Sequence, residues 1–162
     1  PDRWETGTQL HECLAGVAAA IEYLTDLSQR CSATQPATRR AALVSAHRAM
    51  REHEMNLAAR MIGGLLEIPG LRFYGISDPA RFDERVPTVG VRLANGKPLD
   101  AAKFLGDRGI FTWDGNYYAL NLTERLGVEK DGGLLRIGLV HYNTADEVDR
   151  LLAALHEFAA SH

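Results

Sequence analysis

A chain of 162 residues, 46% hydrophobic and 24% charged, has the composition of a globular domain and is long enough to bury roughly 70% of the surface its unfolded form exposes. Its net charge of −3, with lysines and arginines interspersed among acids, excludes the clustered basic face that a nucleic-acid backbone requires, and no apolar run is long enough to span a bilayer. Two cysteines, Cys13 and Cys31, are too few for a disulfide framework and read as thiols of a reducing compartment, which with the lack of a signal peptide gives the cytoplasm as the expected location.

Residues 1–9 read as irregular, and Pro1 in place of Met reads as the start of a trimmed piece. Leu10, Leu14, Val17, Ile21 and Leu24 recur at helical spacing, with Thr8 as the expected N-cap. Residues 28–37 read as a polar connection containing Pro36. A long helix over 38–66 follows, its stripe formed by Leu43, His47, Met50, Leu57, Met61 and Leu65, with Gly63-Gly64 weakening its end and Pro69-Gly70 forcing a turn.

Leu71 to Tyr74 reads as a short strand, Ser77-Asp78-Pro79 opens a loop, and residues 86–93 read as the clearest strand. Asn95-Gly96 signals a turn, Pro98 suits the first position of a helix reaching Arg108, and Gly109 stops that helix. Ile110 to Trp113 is expected to be a strand, Asp114-Gly115-Asn116 a turn, and 117–126 a short helix or structured loop. Lys130 to Gly133 forms another turn before a strand from Leu134 to Val140. The last helix opens on a Thr144/Glu147 capping box and buries Val148, Leu151, Leu152, Leu155 and Phe158. The order predicts an α/β fold of the α+β kind, with helices packed on a small mixed or antiparallel sheet.

The search for chemistry narrows quickly. The six histidines show no metal-ligand spacing, and His47 and His53 do not share a helical face, so no metal is expected. There is no dinucleotide fingerprint, P-loop or nucleophile elbow. Arg136, in contrast, interrupts an apolar strand, and Gly138 two residues on removes bulk from the same face. Such an arginine is either paired to a local acid or open to an approaching anion. The segment Arg3 to Gln9 places Gly7 and the hydroxyl of Thr8 ahead of a helix, which suits either a phosphate or simple capping. Thr112-Trp113-Asp114-Gly115-Asn116-Tyr117-Tyr118 sets aromatics around a turn, as in a pocket wall or a cover on the core.

Three segments, Arg3-Trp4-Glu5-Thr6-Gly7-Thr8, Leu135-Arg136-Ile137-Gly138-Leu139, and Tyr142-Asn143-Thr144 through Glu147-Val148-Asp149-Arg150-Leu151, together resemble the C-terminal part of class V aminotransferases, in the cysteine desulfurase-like branch. The resemblance covers most of the chain. It implies the C-terminal small domain of fold type I pyridoxal-phosphate enzymes, so that residues 1–162 would be one C-terminal domain of a larger enzyme whose large, cofactor-binding domain lies upstream. It implies that Arg136 binds the carboxylate of an amino-acid substrate, and that Thr8, with Gly7 allowing close approach, reaches the cofactor phosphate of the partner subunit in a homodimer. It also implies that Trp113, Asp114, Asn116 and Tyr117 belong to the active-site loop.

Two departures shape the expectation. Residues 113–127 contain no cysteine, so the sulfur-accepting residue of true desulfurases is missing from the loop. Such enzymes hold pyridoxal phosphate as a Schiff base to a lysine, and Lys97, Lys103 and Lys130, the chain's three lysines, stand in none of the expected contexts. No catalytic residue is therefore expected in this chain, and the isolated chain is expected to be inactive. The competing readings are a free-standing, non-catalytic dimerisation module and a small-molecule-binding module.

Overall fold

A computed structural model describes residues 3, 7–32, 36–94 and 96–161, in two units, Pro1–Glu52 and His53–His162. The first unit holds helix α1 (His11–Cys31) and the beginning of α2 (Arg39–Leu66). Helix α1 runs into the expected connection and stops where Ser32 adopts an extended conformation, φ −99 and ψ 134. Its N-cap is Leu10, with no side-chain cap bond, so Thr8 is not the cap. The reason is one of register: the helix begins at His11, and a capping hydroxyl must sit on the residue immediately before the first turn. Leu10, Leu14 and Val17, which recur at helical spacing, are exposed, and the residue α1 does bury is Ser28. At α2 the hydroxyl of Thr38 accepts from the Ala41 N–H at 3.2 Å, closing an N-cap of the usual kind. Ser32 and Ser45 share a hydroxyl–hydroxyl bond of 2.6 Å.

The second unit is a four-stranded antiparallel sheet covered on one face by helices. Strands β1 (Leu71–Tyr74), β2 (Val89–Leu93), β3 (Trp113–Gly115) and β4 (Leu134–Ile137) lie in the order β1-β2-β4-β3. Between them come α3 (Pro98–Gly106) and α4 (Leu120–Arg125), and α5 (Ala145–Ser161) ends the unit. Strand alternation sends Val89, Val91, Leu93, Leu135 and Ile137 inward, where they meet Leu57, Met61, Ile62 and Leu65 of α2, Leu105 of α3, and Val148, Leu151, Leu155 and Phe158 of α5. Phe104 and Phe158 meet edge to face at 5.3 Å. In α2, a Cβ on Gly64 would fall 2.4 Å from Leu152 Cδ1, so that glycine is what lets α5 lie close. The α2 stripe is buried at Leu57, Met61 and Leu65, while His47 is exposed.

The capping box of α5 forms as the spacing predicts. Thr144 N–H donates to Glu147 Oε2 at 2.8 Å, and Glu147 N–H donates to Thr144 Oγ1 at 3.3 Å. The Thr144 amide, followed by the Asn143 side chain, holds the Glu147 carboxyl below its ordinary range. Arg60 of α2 grips Asp149 of α5 with two bonds of 2.6 Å.

Three strand boundaries differ from the sequence expectation. β2 begins at Val89 rather than at 86. Ahead of it Pro87 has no N–H to give, and the Arg85 guanidinium takes the carbonyls of Ile76, Val86 at 3.1 Å and Thr88 at 2.8 Å in place of a ladder. β3 is shifted from 110–113 to 113–115, so that Asp114 and Gly115 lie in a strand rather than a turn. Ile110 spends its N–H on the Leu105 carbonyl at 3.0 Å, closing the end of α3 around Gly109 with φ +71, and pairing starts only after that closure. β4 ends at Ile137 rather than Val140, because the Val140 N–H donates to Asn143 Oδ1 at 2.9 Å and turns the chain into α5. The expected Asn95-Gly96 turn is described only at Gly96, with φ +86, since Asn95 lies outside the described residues.

Candidate functional site

The site grows from the outer face of the sheet. In β4, Leu135 and Ile137 are buried at 0% and 3% exposure, so alternation turns Arg136 between them away from the helices. Arg136 faces Gly90 of β2 on one side and Trp113 of β3 on the other. Gly90 gives the guanidinium a neighbour with no side chain. A Cβ there would come within 3.1 Å of Leu134 Cδ1. Among the described residues Arg136 lies in no ion pair. Its guanidinium stands 5.7 Å from the centre of the Tyr117 ring. Of the two readings open for this arginine in the sequence, the locally paired one finds no partner in the described part of the structure.

An open depression of about 270 Å³ lies beside it, lined by Phe111, Thr112, Trp113, Arg136 and Gly138. A neighbouring one of about 470 Å³ shares Phe111, Thr112 and Gly138 and extends to Tyr142, Glu147 and Arg150. Trp113 is 68% exposed and Phe111 89% exposed. Phe111 does not stand out in the sequence. A signal for it exists all the same, since it precedes Trp113 by two and so can share its side of the chain.

The loop after β3 is held firmly. Tyr117 and Tyr118 have φ of +54 and +62, a left-handed conformation unfavourable for bulky side chains. Local bonds sustain it. The Tyr117 phenol donates to the Leu134 carbonyl, Tyr118 N–H donates to Asn116 Oδ1 at 3.2 Å, and Asn116 Nδ2 donates to Glu129 Oε1 at 3.0 Å. The Thr123 hydroxyl donates to the other oxygen of Glu129. Burial, then the charge of Asp114, pushes the Tyr117 phenol well above its ordinary range, with Arg136 pulling the other way. The phenol therefore stays protonated at any physiological pH and serves as a donor to the strand.

Among the expected site residues, Trp113, Tyr117 and Arg136 are thus brought together, with Asp114 close enough to Tyr117 to act on its charge. Asn116 is committed to Glu129 and shapes the loop. Gly7 and Thr8 belong to the first unit, exposed ahead of α1, with open space where a Gly7 Cβ would stand. Trp4, Glu5 and Thr6 of the same segment lie outside the described residues.

Thr112 lines both depressions, yet its Oγ1 is buried and has no hydrogen-bond partner among the described residues. An unsatisfied buried hydroxyl costs about 1–3 kcal/mol. Thr112→Val, which keeps the shape and removes the polar atom, is expected to raise stability by about 1 kcal/mol. Denaturant unfolding of the two proteins measures this, and a loss of stability would mean that the hydroxyl is in fact bonded.

The family model described as aminotransferase class-V matches residues 44–151. The "Probable cysteine desulfurase 2" of Mycobacterium leprae (strain TN) is 29% identical over 155 residues, which is 96% of this chain and 31% of that protein. The aminotransferase-like protein FGM3 of Gibberella zeae is 33% identical over 110 residues, 66% of this chain and 27% of that protein. Among solved structures, the apo cysteine desulfurase from Thermococcus onnurineus NA1 superposes with a TM-score of 0.63 at 25% identity, covering 82% of this chain and 34% of that one. The chain spans about a third of the length of the curated relatives it matches, 31% in the first case.

Proposed function

The chain belongs to the class-V aminotransferase family, and from that premise we propose that it is the C-terminal domain of a pyridoxal-phosphate-dependent enzyme acting on an amino acid. In this reading residues 1–162 form one domain, and a large domain elsewhere in the protein supplies the lysine that holds the cofactor. The whole works as a cytoplasmic homodimer. When bound, the cofactor withdraws electrons from the substrate's α-carbon. Everything this chain does is recognition and positioning.

The observation that carries the reading is Arg136, which is outward-facing, unpaired with any acid among the described residues, and set at the end of an open depression. Its planar fork suits a carboxylate, which it would hold by two parallel charge-assisted hydrogen bonds. Gly90 and Gly138 keep side chains out of the way of that approach. Trp113 walls the site, and the Tyr117 ring stands beside the guanidinium at 5.7 Å. The residues ahead of α1 fit a phosphate. The helix begins with no side-chain cap, leaving first-turn amides to an incoming anion, and Thr8 adds a hydroxyl beside Gly7. The three lysines Lys97, Lys103 and Lys130 are all exposed, at the start of α3, on α3 and in the Glu129–Asp131 turn respectively. A lysine that titrates for catalysis is ordinarily desolvated, which supports a cofactor lysine outside this chain.

The loop holds Tyr117 and Tyr118 in fixed left-handed conformations and has no thiol, while Cys13 and Cys31 sit on α1. The proposed chemistry is therefore amino-group transfer or a related reaction at the α or β carbon, without transfer of sulfur to a loop cysteine. The test is to supply the full natural polypeptide, loaded with cofactor, with L-cysteine and a thiol reductant, and to measure sulfide. The expected rate is that of free cofactor alone, unchanged by Cys13→Ser or Cys31→Ser. Sulfide release that either substitution abolishes would overturn this assignment.

A further inference from the structure

The geometry points to a substrate class for this site: a carboxylate whose other end is an apolar, planar group, as in an aromatic amino acid. The inference rests on the reading of Arg136 as the carboxylate anchor. What it adds is the identity of the rest of the ligand.

The depression's lining sets the chemistry. Of its five residues, one is a cation, two are aromatic, one is Gly138 and one is Thr112, whose hydroxyl is turned away from solvent. None of these five residues is acidic, and the one hydroxyl among them, on Thr112, is turned away from solvent. Both aromatic residues are open to solvent, Phe111 at 89% and Trp113 at 68%. Each is an apolar face that gains by being covered.

Their placement matches a single ligand. Trp113 stands directly across the sheet from Arg136. Phe111 lies two residues before Trp113, and Gly138 two residues after Arg136, so the second ring flanks a floor without a side chain. Beyond Gly138, a Cβ would reach Thr88 Oγ1 at 3.5 Å, so the slot is bounded on that side too. At about 270 Å³ the space lies just below the usual range of ligand sites, roughly 300 to 1,000 Å³. That suits a molecule of amino-acid size. An anion at Arg136 and a flat apolar body between Trp113 and Phe111 use the cation and both rings of this lining.

The test uses carboxylates that carry no amine and so cannot react with a carbonyl cofactor. Dissociation constants for 3-phenylpropionate, propionate and 2-phenylethanol are measured by calorimetry on the full natural polypeptide and its variants. The expected result is 3-phenylpropionate bound at least about tenfold more tightly than propionate. Trp113→Ala and, separately, Phe111→Ala should shrink that preference to about twofold without weakening propionate. Arg136→Ala should abolish binding of both acids, and the alcohol should bind poorly throughout. Equal affinities for the two acids, both lost in Arg136→Ala, would overturn the substrate class while leaving the arginine's role intact. The rings would then be covered by protein. Propionate binding that survives Arg136→Ala, or no binding of either acid, would overturn the arginine reading and this inference with it.

Discussion

Gly133→Ala is expected to destabilise the second unit by about 3 kcal/mol or more, and Gly132→Ala, one residue away, by only about 1 kcal/mol. Both glycines have left-handed φ, +88 at Gly132 and +72 at Gly133, so any side chain brings the same conformational penalty. The difference is in what the new Cβ meets. At Gly132 it finds Pro98 Cδ at 3.7 Å, an ordinary contact. At Gly133 it falls 2.2 Å from the Gly115 carbonyl oxygen and 2.4 Å from the carbonyl carbon, which are backbone atoms that no rotamer change can move. Gly133 and Gly115 form a bridge at the point where β3 and β4 meet. To admit the methyl group β3 has to shift away, carrying Trp113 and the loop with it. Urea unfolding of the two variants measures both values, and equal destabilisation would show that the close approach is absent in solution.

Arg136→Ala is expected to lower affinity for a substrate carboxylate by about a hundredfold or more, and to leave stability within about 1 kcal/mol. Each charge-assisted hydrogen bond contributes about 1.5–3 kcal/mol, and every 1.4 kcal/mol is tenfold in affinity. The fold gives up little with this side chain, because Arg136 is exposed and its described interaction is the Tyr117 ring at 5.7 Å. Arg136→Lys keeps the charge and loses the fork, so it should recover only part of the affinity. Substrate titration alongside thermal unfolding separates the outcomes. A variant that unfolds would make the arginine structural and would remove the carboxylate anchor from the account.

How much of this was legible in the sequence depended on whether the signal was local. Helix α5 was legible in its Thr144/Glu147 cap and in Val148, Leu151, Leu155 and Phe158, which lie within one element, although Leu152 of the expected stripe is only partly buried and Ala154 is buried as well. Arg136 was legible as an anomaly because a cation inside Leu134–Ile137 breaks the strand pattern. The position of β3 was not, because it depends on where α3 ends and on Gly115 meeting Gly133 from a distant turn. Asp114-Gly115-Asn116 carries turn chemistry by composition, and tertiary pairing overrode it. The Thr8 cap failed for a local reason, the helix starting at His11. The rigidity of the Tyr117 loop was invisible, since its hydrogen bonds reach Glu129 and Leu134. The exposure of Leu10, Leu14 and Val17 was also invisible, because periodicity shows which residues share a helix face and not what covers that face.

The central claim is that this chain brings recognition to a pyridoxal-phosphate site and the cofactor's lysine comes from elsewhere. The direct measurement is to incubate the chain with pyridoxal phosphate, reduce with borohydride, and map the labelled residues by peptide mass. The predicted result is labelling well short of one group per chain, scattered over Lys97, Lys103 and Lys130, all of which are exposed. Stoichiometric labelling of a single one of them would contradict the account, because the chain would then hold its own cofactor.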